Sequence, residues 1–531
     1  MIEEQQSSIT PEPTQYAQIA WASFTLILAN LAINFFSFIK NIVIAHYFGT
    51  SGSLDAYYAA LTLPTIISCL IIGSIQASFI PVFIQMRHQE DEGKAHQVFN
   101  TFFSMALLVL LIITILLTLL APWLVLMVAP GFEPGQQELT VRLLRFLAPL
   151  LFLSGIFDLI TFLFNAYQRF ALPAFCPIVG SVISIVYLIL ARDQGVYALA
   201  YGLILGSTIQ LGVLLIGLSR GQIPYRLDNF TLDFRHPAVR KIVRLMGPML
   251  IGASFSHINI AVDRIMASFL PEGSISALSY ADKLNSIPIQ MFILGVGSAI
   301  LPFFSQQVAE DNMDDLKKAF SLLIRVSAFI LLPLTMEIAI IGRPLIELFF
   351  QRGAFDAHST LNVARAWTAY AVGLAFFAIG VFIARMFSAL QNTKVLMYAS
   401  LQNLILNIVF NLIFMRFWGH VGIALSTSVT YLFSMTFLII MIKRRLKNIG
   451  AWSSVPVLVK IAGATIFTGI LQLWLSGLFR FHTNLLTQII LNIGIGITIY
   501  PAFSYLINIR EMSLVFHLVK NRPLSTYYEG S

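Results

Sequence analysis

"INFFSFIKNIVIAHYFG", residues 33–49, is apolar enough to cross a bilayer, yet it carries Lys40 and Asn41 in its middle and Asn34 less than two helical turns earlier. An ammonium group inside hydrocarbon costs at least about 2.5–3.5 kcal/mol, so it marks either a helix end whose side chain snorkels to the interface or a polar pathway. The surroundings favour a membrane. The chain has 531 residues, 57% hydrophobic and 11% charged, with a mean hydropathy of +0.81. Soluble domains run at about 45–50% apolar and about 25% charged. The class implied is an α-helical, polytopic membrane protein.

Working outward from residues 33–49, apolar runs of about 20 residues or more recur fourteen times, from 17–46 to 484–509. The two closest splits fall near Pro173 and Gly419. The net charge of +8 does not point to nucleic acid, because the basic residues sit in short loops between apolar runs. With the N-terminus inside, nineteen Lys and Arg fall on the inner side and four on the outer side. That asymmetry and an even span number put both termini in the cytoplasm, the inner membrane of a bacterium being the expected location. The acidic, proline-containing start "MIEEQQSSITPEPTQ" has no basic region followed by a short apolar core, so it does not read as a cleavable signal peptide. Cys69 and Cys176 both lie in apolar runs and read as small buried residues, not as a disulfide or metal pair.

The chain also repeats. "SFIPVFIQ" (78–85) resembles "AILPFFSQ" (299–306), and "NAYQRF" (165–170) resembles "SALQNTKV" (388–395). With a third match at Pro122 and Pro344, the offsets are 221, 222 and 223 residues. Six spans per unit give both units the same orientation, a parallel repeat of the kind found in transporters. The expected fold is all-α, with about fourteen transmembrane helices in two parallel six-helix repeats that form two lobes, plus a C-terminal helix pair. In residues this is a cytoplasmic tail (1–16), an N-lobe (17–219), a basic linker (220–238), a C-lobe (239–447), the appended pair (448–509) and a second tail (510–531). Substrate is expected between the lobes, with alternating access by rocking of one against the other.

Intramembrane polar groups are the candidate site. Lys40, with Asn34 and Asn41, is read as facing a cavity. Asp282 and Lys283, in "SYADKLNSIP", point about 100° apart and open the eighth span. Asp263 and Arg264 close the seventh as an interfacial pair, with His257 deeper. Asp55 follows "GTSGSL" at a helix start, where the backbone dipole favours an acid. Asp158, Glu337 and His257 are candidates for proton or sodium coupling, each equally readable as a polar contact between helices. There is no nucleophile–base set, phosphate-cradling loop, metal cluster or nucleotide-binding domain, so neither enzymatic chemistry nor a cofactor is expected. Transport would draw on substrate or ion gradients or on the membrane potential.

Three stretches carry a family resemblance. "FIKNIVIAHYFGTSGSLDAYYAALTLP" (38–64), "LPEGSISALSYADKLNSIPIQMFILGVGSAILPFFSQ" (270–306) and "QRGAFDAHSTLNVARAWTAYAVGLAFFAIGVFIARMFSALQNTK" (351–394) are similar to the MurJ/MviN lipid II flippases of the multidrug/oligosaccharidyl-lipid/polysaccharide exporter superfamily. The resemblance implies a flippase that moves an undecaprenyl-pyrophosphate-linked peptidoglycan precursor from the inner to the outer leaflet. It further implies a cationic cavity for the pyrophosphate and a lipid-tail groove at the last two helices. Lys40, Asn34, Asn41, Asp55, Lys283, Asp282 and Arg264 would contact the headgroup. Departures from the family pattern are clear. Asn34 stands where the family has arginine, and Lys40–Asn41 where it has Arg–Asp. "LPTIISCLIIGS" (63–74) lacks the family's arginines, Lys283 replaces an arginine, and Ser286 replaces a glutamate. Lysine does not reproduce the bidentate fork of arginine on a phosphate. Two other readings therefore stand beside lipid II. One is transport of a different polyprenyl-pyrophosphate oligosaccharide. The other is a non-transporting membrane scaffold, which the short tails disfavour.

Overall fold

The computed structural model describes residues 13–89, 92–221, 223, 225, 237–446, 451–479 and 484–512. The expected tails and basic linker fall largely outside these residues. Among the described residues every regular element is helical, and no strand occurs. The chain divides into two compact units, Met1–Phe269 and Leu270–Ser531.

The first unit holds α1 (Pro13–Phe48), α2 (Gly52–Gln89), α3 (Glu92–Leu119), α4 (Ala121–Val128), α5 (Pro134–Leu147), α6 (Pro149–Ala166), α7 (Ala171–Leu190), α8 (Tyr197–Ser219) and α9 (Pro237–Ala267). Its core gathers Phe79, Phe83, Phe99 and Phe102 with Leu163, Phe164 and Leu214. The α7–α8 pair is a hairpin. It turns at Gly195, whose φ of 59° and ψ of −140° no Cβ-bearing residue adopts readily. Its arms pack so closely that Ser184 Oγ donates to the Gly202 carbonyl at 2.9 Å.

The expected boundary at 220–238 puts α9 with the later half, whereas its packing puts it with the first unit. The reason is that α9 runs antiparallel along α2 and is tied at both ends. Lys241 Nζ reaches Gln85 Oε1 at 3.1 Å, and Arg264 bonds Tyr58 and Thr62.

The second unit holds α10 (Ser274–Ala309), α11 (Met313–Phe350), α12 (Ala357–Ala371), α13 (Leu374–Ala389), α14 (Thr393–Leu446), α15 (Ala451–Phe479) and α16 (Leu485–Leu506). As one rod α14 would be about 80 Å long, far more than a bilayer of about 30 Å. It is instead two helices folded back at Gly419 (φ 55°, ψ −132°), with Ser426 Oγ on the Asn407 carbonyl at 3.3 Å.

The repeat suspected from Pro81/Pro302 and Gln168/Gln391 is visible in the internal geometry of each unit. Left-handed residues recur at Gly49 and Gly273, Gln168 and Gln391, and Gly195 and Gly419. After Gln168, Arg169 N–H bonds the Phe164 carbonyl at 2.9 Å, and after Gln391, Asn392 N–H bonds Phe387 at 2.9 Å, the same helix-ending motif twice. Phe83, Phe99 and Phe164 in one core correspond to Phe304, Phe320 and Phe387 in the other, all among the fully buried side chains.

By length and composition ten of the described helices can cross a membrane, eleven if the α12–α13 pair, bent by 41°, counts as one broken span. The expected fourteen is not reached on that criterion. The α14 hairpin counts once in it, and α9 and α10 are not among the ten. Leu190 (79% exposed), Ile497 (69%) and Trp474 (63%) would be costly in water and suit hydrocarbon.

Candidate functional site

In the first unit the polar residues singled out from the sequence fall into two groups. The first lies where α1 turns into α2. Gly49 ends α1 with a φ of 56°, and Ser51 then starts α2, its carbonyl accepting Asp55 N–H at 3.0 Å. Asp55 sits in the first turn, where unpaired helical N–H groups favour an anion, and is only 2% exposed. Two turns on, Thr62 Oγ1 donates to the Tyr58 carbonyl at 3.0 Å. Arg264 Nη1, from α9, donates to that same carbonyl and to Thr62 Oγ1, the latter at 2.7 Å. Asp55 and Arg264 both lie within electrostatic reach of Tyr58. Four residues beyond Arg264, Ser268 Oγ accepts the Gly131 N–H at 3.1 Å. A side chain at Gly131 would strike the Ser268 carbonyl 2.5 Å from its Cβ. Arg264 therefore bonds α9 to α2.

Lys40 is the second group. It is half-buried on α1 and has no hydrogen bond or ion pair among the described residues. Asn34 is half-buried on the same helix, and Asn41 is buried. An unpaired ammonium on a membrane helix is a ready partner for an anionic group.

In the second unit Asp282 and Lys283 sit two turns into α10, Asp282 exposed and Lys283 half-buried. Next to them Asn285 is buried, and its Oδ1 has no hydrogen-bond partner. The three candidates for ion coupling are carried by α6, α11 and α9. Asp158, half-buried on α6, has no hydrogen bond among the described residues and lies within electrostatic reach of Cys69 on α2. Glu337, on α11, receives Gln472 Nε2 on both carboxylate oxygens at 3.1 Å. His257 lies in α9, with its side chain outside those described.

Residues 44–492 match the family described as "Lipid II flippase MurJ". The chain belongs to the MurJ lipid II flippase family. The match begins after Asn34, Lys40 and Asn41, so the reading of those three rests on their positions in α1. Among curated relatives, a "Probable lipid II flippase MurJ" of Rickettsia prowazekii (strain Madrid E) is 27% identical over 426 residues, covering 78% of this chain and 83% of the relative. A "Lipid II flippase MurJ" of Burkholderia cenocepacia is 26% identical, covering 76% and 80%. Among solved structures, a "Lipid II flippase MurJ, inward closed conformation" superposes with a TM-score of 0.76 at 22% identity, over 91% of this chain and 98% of that one. An inward-facing multidrug resistance MATE family transporter of the MOP superfamily follows at 0.65 and 15% identity, over 80% and 98%. Family and apolar helices together make the chain a multi-pass protein of the inner membrane.

Sequence reasoning missed the partners. Tyr58 and Thr62, which take Arg264, sit in an ordinary apolar run. Gln472 and Asn492 were legible in principle, as rare amides within long apolar segments.

Proposed function

We propose that this chain is a flippase for lipid II, moving an undecaprenyl-pyrophosphate-linked peptidoglycan precursor from the inner to the outer leaflet without changing it chemically. The observation that carries the reading is Lys40, an ammonium on a membrane helix with no carboxylate partner among the described residues. A pyrophosphate cannot cross hydrocarbon bare, and a charge-assisted contact to a cation offsets part of its desolvation. Lys283 on α10 is proposed as a second headgroup contact. The family match and the flippase relatives support the substrate class.

A second reading is transport of a different polyprenyl-pyrophosphate oligosaccharide. It is favoured by Asn34 and by the arginine-free stretch 63–74. Complementation of a MurJ-depleted bacterium decides between them, with membrane insertion of the chain verified. Rescue by the native chain and by Lys40→Arg, but not by Lys40→Ala at equal expression, is expected. Failure of a well-inserted native chain would move the assignment to the second reading. Full rescue by Lys40→Ala would remove Lys40 from the site.

A further inference from the structure

In the second unit α11, α15 and α16 line an open-sided cavity of about 480 Å³. Its walls are apolar, with Phe329, Pro333, Ile341, Ile493 and Ile497 among them. One carboxylate, Glu337, opens onto it. Both of its oxygens lie 3.1 Å from a single nitrogen, Gln472 Nε2, which also donates to the Asn492 carbonyl at 2.9 Å. An amide has two hydrogens. Here they serve three acceptors, so the carboxylate receives little more than one shared N–H. The close approach depends on Gly496, because a Cβ there would fall on Glu337 Oε1.

Among the described residues no cation pairs with Glu337: Arg343, six residues on along α11, is exposed and makes no bond to it. On α16 there is no charged residue, and on α15 the one charged residue is Lys460, whose Nζ lies 3.4 Å from the Ile507 carbonyl. On α11 itself Arg325 pairs with Glu511 at 2.9 Å. His358 and Arg365 of α12 act on His420. Arg385 of α13 and Asp282 and Lys283 of α10 have contacts of their own, and none is with Glu337. The hydroxyl of Tyr500, on the cavity wall, is spent on the Phe329 carbonyl at 3.0 Å. A further acceptor, the side-chain oxygen Oδ1 of Asn492, whose carbonyl takes Gln472, is buried without a partner.

We propose that Glu337 is a proton-binding site that sets how firmly the α15–α16 pair holds α11. The proton comes from water and forms an Oε–H bond, which supplies the donor that this acceptor-rich cluster lacks. Loss of the proton leaves a full charge in an apolar wall, facing one neutral amide. The cavity then has to admit water, and the grip of the helix pair loosens. The proposal stands on the geometry of the second unit and is independent of which lipid is carried.

The test uses the full-length chain in lipid nanodiscs. Infrared difference spectra are taken between acidic and alkaline buffers for the native chain and Glu337→Gln. The expected result is a protonated-carboxyl C=O band at neutral pH that is lost in Glu337→Gln. Hydrogen exchange of α15 and α16, corrected for intrinsic rates, should also speed up with rising pH in the native chain and stay flat in the variant. A native spectrum with no Glu337-dependent band at neutral pH would overturn the proposal, as would parallel exchange profiles. Loss of the band on adding sodium at fixed pH, but not choline, would mean that the site takes a metal cation and would also overturn it. Should Glu337→Gln insert poorly, Glu337→Asp keeps the titrating group and shifts its band, which makes the same assignment.

Discussion

Gly496 has no side chain because Glu337 occupies the space where one would go. Alanine favours a helix over glycine by about 1 kcal/mol, so on propensity alone Gly496→Ala would stabilise α16. The overlap with the carboxylate should outweigh that gain. Gly496→Ala is expected to lower the stability of the second unit by about 1–3 kcal/mol, the range for overpacked sites. Thermal melts in detergent check it, with Gly494→Ala, which meets nothing within 4 Å, as the control. At this scale sequence reading was least complete. Glu337 stood out because a carboxylate in an apolar run is expensive. That Gln472 and Gly496 meet it depends on helix crossings separated by well over a hundred residues, which no local pattern encodes. Lys40 and Arg264 looked alike as intramembrane cations, yet Arg264 is bonded to Tyr58 and Thr62 while Lys40 has no such bond among the described residues.

Helices were read well where periodic apolar runs are long, and less well at their joints. Ala357–Ala389 is one apolar run by composition, yet it is bent by 41° near Gly373. Apolarity continues through the break, so composition does not reveal it. For α9, the bonds at its two ends predict a measurable anchor. Arg264→Leu removes two hydrogen bonds from a charged donor, each worth about 1.5–3 kcal/mol, and should speed hydrogen exchange at the last turns of α9. Arg264→Lys should restore much of this, because both bonds leave the single nitrogen Nη1 and an ammonium also carries more than one N–H.

A second prediction at this scale concerns α12. Asp356 caps it by accepting Ser359 N–H at 2.8 Å, and this bond holds the Asp356 carboxyl below its usual range. Asp356→Ala should cost about 1 kcal/mol at neutral pH. A depressed carboxyl stabilises the fold fully above its unfolded value of about 3.9 and loses that contribution as pH falls through the lower folded value. Melting curves of the native chain and Asp356→Ala should therefore separate at neutral pH and converge in strong acid.

For the whole molecule, the sequence repeat proved the more reliable guide than the span count. Three weak matches at a near-constant offset anticipated the recurrence of left-handed residues and buried phenylalanines in both units. The split read at Gly419 is borne out, because α14 reverses at that residue, whereas a count by length and hydropathy alone takes it as one helix. The distribution of Lys and Arg, nineteen against four, predicts both termini on the cytoplasmic side. Fusions of green fluorescent protein to either end should fluoresce, and alkaline phosphatase fused to the C-terminus should be inactive. An active phosphatase would require an odd number of crossings.

The turn at Gly419 also governs how the molecule can be handled. Its two arms are so close that a Cβ at Gly422 would collide with the Phe414 carbonyl. A protease needs several residues of extended chain to seat a cleavage site, and an antibody needs an accessible loop. This corner offers neither, so limited digestion should leave the α14 arms joined. A tag inserted there would have to pry the helices apart before anything could recognise it.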